Sequence, residues 1–135
     1  MKRDAGDILD RWSIAKLKAD RIGTEDNKKE FEAFEVAVKD LQDGYNWIQW
    51  EQLSKMMYDI NDFIWQLESG LKSGKETLKN SVYLLDEVNN PVLAKIGLTT
   101  ILIRNFNHLR VSLKNIINKM MGEGFQDTKK EHLSA

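Results

Sequence analysis

Apolar positions recur at alternating steps of three and four residues along most of this chain, the period of a helix with one buried face. Ile8, Trp12, Ala15, Ala19 and Ile22 form the first stripe. Asp4 stands at a capping position, Asp7 lies in the first turn and Gly23 stops the run, so a helix is predicted over residues 6–22. Behind Thr24, with Glu25 and Asp26 at the positive end of the next helix, the stripe is Phe31, Phe34, Val38 and Leu41, and Asp43-Gly44 ends it. Leu53, Met57, Ile60, Ile64, Leu67 and Leu71 place a third helix from about 46 to 69, with Gly70 and Gly74 as breakers. Residues 75–90 admit a short helix through Leu78, Val82, Leu85 and Val88, before Asn89-Asn90-Pro91 marks a boundary.

The last helix is predicted to open at Pro91, where a missing N–H costs nothing, and to end at Gly122-Glu123-Gly124. It carries two apolar seams. Val92, Ile96, Thr99, Ile103, Phe106, Arg110, Leu113, Ile117 and Met120 form one; Leu98, Leu102, Leu109 and Ile116 form another. A helix apolar nearly all round is a buried one, so this helix is expected at the centre of the bundle or of a homo-oligomer. The fold class that follows is all-α: an antiparallel bundle of four long helices with room for a fifth short one, in one domain over residues 1–124, followed by a polar tail over 125–135.

Composition narrows the chemistry. The 135 residues contain no cysteine, which excludes disulfides and thiolate zinc sites and fits a reducing compartment. The start turns acidic where a signal peptide has its apolar core, and the run 92–103 is interrupted by Lys95 and short of the ~20 residues of a membrane span, so the chain reads as cytoplasmic with no membrane partner. Residues 25–68 carry eleven acids against four lysines, whereas 92–122 carry five basic residues and no acid. The basic stretch is also strongly apolar, so packing beside the acidic segment is the better reading than nucleic-acid binding.

Polar residues inside apolar faces are the informative ones in a bundle. Asn107, Arg110 and Lys114 share a face of the last helix, and Asn61, Trp65 and Glu68 share a face of the third. Asp10, Lys18 and Arg21 flank the first stripe. Arg110 lies within the seam itself and needs a carboxylate, with Glu68 or Asp10 as candidates, because an unpaired buried charge costs several kcal/mol. The cluster is either an internal network that sets helix register or a pocket where Arg110 and Lys114 hold a phosphate- or carboxylate-bearing small molecule. Tyr45, Trp47 and Trp50 either close the end of the core or form an aromatic patch for a partner.

Three blocks carry a resemblance. Gly6-Asp7-Ile8-Leu9-Asp10-Arg11-Trp12-Ser13-Ile14 with Lys18-Ala19-Asp20-Arg21-Ile22, then Asn61 to Glu68 through Trp65, then Asn107-His108-Leu109-Arg110 with Leu113-Lys114, resemble in the same order an uncharacterised family of small all-helical bacterial and phage proteins. Trp12 replaces an aliphatic residue of that pattern, and 73–95 has no counterpart in it. The resemblance implies a helical fold and the polar positions just named, and no defined activity.

An enzymatic alternative uses Glu32 and Glu35 on the second helix and Asp59 and Asp62 on the third. Carboxylates three apart project from one helical face, and two such pairs across a hairpin suit Mg²⁺. The arrangement is similar to the all-helical nucleoside-triphosphate pyrophosphohydrolases, whose second pair begins with Glu where this chain has Asp59. His108 and His132 sit beside no nucleophile, and no glycine-rich phosphate loop is present. The reading leans to a non-enzyme without cofactor: a binding or interaction module, with the Mg²⁺ pyrophosphohydrolase and a purely structural oligomer subunit as alternatives.

Overall fold

Local signals set the helix ends. The Asp4 carboxylate accepts from the Asp7 amide and starts α1, Ala5–Arg21; Thr24 Oγ1 accepts from the Asn27 amide and starts α2, Glu25–Gly44. Between them Gly23 takes φ +76°, and its amide and that of Ile22 both return to the Lys18 carbonyl. An L side chain is disfavoured at that φ, so glycine is what allows so short a reversal. The computed structural model describes residues 3–79 and 91–122, and two further helices, α3 at Trp50–Lys79 and α4 at Pro91–Met120, complete an all-α, bundle-like fold.

The third helix departs from expectation at both ends. It starts at Trp50 because 45–49 form a turn, in which the Tyr45 carbonyl accepts from the Ile48 amide and from the Trp50 indole. It also runs straight through Gly70 and Gly74. Packing overrides propensity at Gly74, where an added Cβ would come within 3.1 Å of the Ile96 side chain: the glycine lets α3 and α4 approach closely. Residues 75–79 therefore belong to α3, and the rest of the expected fifth helix lies outside the described residues.

Helix α1 packs against all three other helices, and α3 pairs with α4 along a long hairpin. Because α1 has neighbours on two sides, its buried face is broader than the predicted stripe. Leu9, Ser13 and Leu17 are enclosed, while Ile22 is exposed. The core joins Leu9 to Met57, Ile60 and Ile64 of α3 and to Leu113 and Ile117 of α4, with Val38 as the buried residue of α2. Trp50 and Ile48 close its end, and Trp47 stays exposed.

Within the single chain α4 is not enclosed on all sides, so of the two expected settings, the centre of the bundle or of a homo-oligomer, the first does not hold. Its first seam packs inward through Leu113 and Ile117, but Leu98, Leu109 and Ile116 of the second remain about half exposed. No described helix is long and apolar enough to cross a membrane.

Candidate functional site

Two features stand out: a polar cluster where α1 meets α3 and α4, and an open apolar face on the α3/α4 hairpin.

The cluster depends on a close approach. A Cβ at Gly6 would lie 2.5 Å from the Lys114 carbonyl oxygen and 2.9 Å from its Cα, so only glycine lets α1 touch the α4 backbone. The Gly6 amide donates to Asn118 Oδ1 at 2.8 Å, a buried bond across the same contact. One turn further along α1, the buried Asp10 carboxylate collects groups from both neighbours. Asn61 Nδ2 of α3 donates to Asp10 Oδ1 at 2.9 Å and to Ser13 Oγ at 2.6 Å, and Ser13 Oγ donates to the Asp10 carbonyl. Arg110 and Lys114 of α4 stand 3.8 and 3.9 Å from Asp10 Oδ2. Those are ionic contacts without hydrogen-bond geometry, and buried Arg110 Nε has no hydrogen-bond partner among the described residues.

Asp7 sits beside this group, within ion-pair distance of Arg3, Arg11 and Lys114. Burial alone raises its pKa, but hydrogen bonds from Arg11 and Arg3 and the charges of Arg11 and Lys114 hold it below the ordinary carboxylate value. Four cations thus converge on the carboxylates of Asp7 and Asp10.

The two predicted trios meet only in part. Asn61, Arg110 and Lys114 share Asp10, so the Arg110 counter-ion is Asp10 and not Glu68. Trp65 lies at the other end of α1, under the Arg21 guanidinium at 5.7 Å. Glu68 is exposed, since α3 extends past the end of α1, and half-buried Asn107 takes no part in the network. Gly6, Ser13 and Asn118 were not singled out by helical periodicity. A glycine in the first turn, where it costs stability relative to alanine, was the available signal for the close approach.

The four carboxylates of the enzymatic alternative do not gather. Asp62 faces α1 and binds Arg21 at 2.6 Å, Asp59 binds Lys55 at 2.9 Å, and Glu35 faces Asp59 only across a cleft of about 650 Å³ between α2 and α3. Among the described residues no group of three or more His, Asp or Glu side chains comes close enough to hold an ion.

Burial also raises the Asp62 pKa, but hydrogen bonds from Gln66 and Arg21 and the Arg21 charge bring it below the ordinary value. A depressed carboxylate stabilises the fold above its unfolded pKa of about 3.9, and that contribution disappears as pH falls through the folded value. Arg21→Ala is therefore expected to cost roughly 0.5 kcal/mol at neutral pH. The gap from the parent in unfolding midpoint should narrow and close as pH falls below the ordinary carboxylate value, as read from thermal unfolding across pH.

The open face runs along the exposed sides of α3 and α4. Phe63 and Met56 of α3 are half exposed there, and Phe63 stacks on Phe106 of α4 with centroids 5.2 Å apart. Next to them run Leu98, Leu109, Ile116 and Met120 of α4, each more than 40% exposed. Isolated exposed leucines are ordinary, whereas exposed apolar residues recurring along two packed helices are the feature that calls for an explanation. Compared with known proteins, the chain matches no family model, no curated protein and no solved structure.

Proposed function

We propose that this protein is a non-catalytic helical interaction module acting in the cytoplasm. The polar cluster locks α1 to α3 and α4, and the rigid hairpin so formed presents its apolar face to another helical surface. The observation that carries this reading is the half-exposed row of Leu98, Leu109 and Ile116 beside Phe63. A photo-crosslinking residue at Ser112, within that row, should give adducts in cells, and the same residue at Lys28 on α2 should not. Equal labelling at both positions, or none at Ser112, refutes the proposal.

A second reading is favoured by Arg110 Nε, buried without a hydrogen-bond partner among the described residues, and by the excess of cations around Asp7 and Asp10. A small molecule bearing a phosphate or carboxylate could add its oxygens to Arg110 and Lys114. If it binds, sugar phosphates at 100 times their dissociation constant should stabilise the fold by about 2.7 kcal/mol. That shift should vanish in Arg110→Met and should not require Mg²⁺.

A further inference from the structure

The interaction reading leaves the occupant of the α4 face open, and the following rests on that reading. Leu98, Leu102, Asn105, Leu109, Ser112 and Ile116 follow one another at alternating steps of four and three, the spacing of a coiled-coil seam. This is a second seam on a helix whose first seam already packs within the chain through Leu113 and Ile117. Leu102 is partly buried, and the other five are exposed. None of these six residues is charged, and the row is bounded by Lys95 and Lys119, whose long side chains can reach water.

We infer that the occupant is a second copy of this chain, with its α4 packed antiparallel about a two-fold axis that passes between Asn105 and Leu109. In that register Leu98 faces Ile116 of the other copy, Leu102 faces Ser112 and Asn105 faces Leu109. Each polar residue meets an apolar one at the centre, and the largest apolar pair seals each end. The six seam residues carry no charge; in this register Lys95 comes level with Lys119 of the other copy only at each end of the row, where both side chains can reach water, and a net charge of −1 per chain adds little repulsion.

The area is sufficient. The row from Leu98 to Met120 spans about 33 Å of helix at 1.5 Å per residue. With α3 contributing Phe63 and Met56 alongside, two helices ~10 Å apart offer a face of roughly 650 Å². Doubled, that gives about 1,300 Å², within the range of stable interfaces. The pairing is isologous, so it closes at two copies and does not propagate.

The native chain lacks cysteine, which makes single-cysteine variants clean reporters. The full chain should sediment at twice its 15.7 kDa mass and dissociate on dilution. Leu109→Glu, exposed in the monomer and central in the pair, should weaken association by about 100-fold or more while leaving the helical signal intact. Leu98→Cys mixed with Ile116→Cys should form a heterodisulfide. Leu98→Cys alone should not link, because its sulfurs would be ~27 Å apart in the antiparallel pair.

A disulfide from Leu98→Cys alone overturns the antiparallel register, and a chain still monomeric at roughly 1 mM overturns the dimer. In that monomeric case, Ser112 crosslinks to a protein of different mass leave the interaction reading standing and reject only the second copy. No crosslink at all rejects both.

Discussion

Asp10→Ala is expected to lower stability by about 3 kcal/mol, the lower end of the range for breaking a buried pair. The mechanism is the loss of a shared acceptor. Asn61 Nδ2 loses one of its two bonds, and Arg110 and Lys114 lose the carboxylate that offsets their desolvation. The lower end applies because Arg110 and Lys114 side chains keep 29% and 19% of their surface exposed and can turn partly toward water.

At about 3 °C per kcal/mol for a chain of this size, the unfolding midpoint should fall by roughly 10 °C. Asp10→Asn keeps an oxygen for Asn61 and should cost less. Adding Arg110→Met to Asp10→Ala should restore part of the loss, because it removes the stranded charge. If Asp10→Ala changes the midpoint by less than about 2 °C, the cluster does not lock the helices.

Gly6→Ala should be comparably damaging, by a different mechanism. The new methyl would overlap the Lys114 backbone, which cannot swing aside as a side chain can. Helix α1 must move off α4, costing about 1–3 kcal/mol for overpacking, and the Gly6 amide then loses Asn118 in a buried position for roughly another 1–3 kcal/mol. The same exchange at Gly70, where an added Cβ meets nothing within 4 Å, should stabilise α3 by about 0.5–1 kcal/mol. Opposite signs for one chemical change, read in parallel denaturant titrations, test whether the α1–α4 contact is as close as described. A neutral Gly6→Ala would show that it is not.

The separation between these two glycines shows which information is local. Helix starts at Asp4, Thr24 and Pro91 and the reversal at Gly23 were legible because capping, proline geometry and positive φ act within a few residues. The glycines of α3 misled because a breaker's cost of ~1 kcal/mol is smaller than the packing of a long hairpin. The opening of α3 shifted from the expected position because a tertiary need, burying Trp50 and Ile48, turned 45–49 into a cap on the core.

The polar cluster divides in the same way. Periodicity placed Arg110 and Lys114 on one face and Asn61 on another, and the energetics of burial required a carboxylate for Arg110. Which carboxylate it was depended on the relative heights of α1 and α3: Asp10 lies level with Arg110, and α1 ends before Glu68.

The chain's own pattern thus dictated four helices, their polarity and the two seams of α4, because those follow from spacing along one strand of sequence. Only the tertiary structure decided that one seam packs inward and the other stays open, that Gly6 admits the α4 backbone, and that the acids of α2 and α3 stay apart. Those outcomes depend on distances between segments far apart in the chain, and side-chain periodicity within a helix carries no term for how closely, or at what height, a second helix will lie against it.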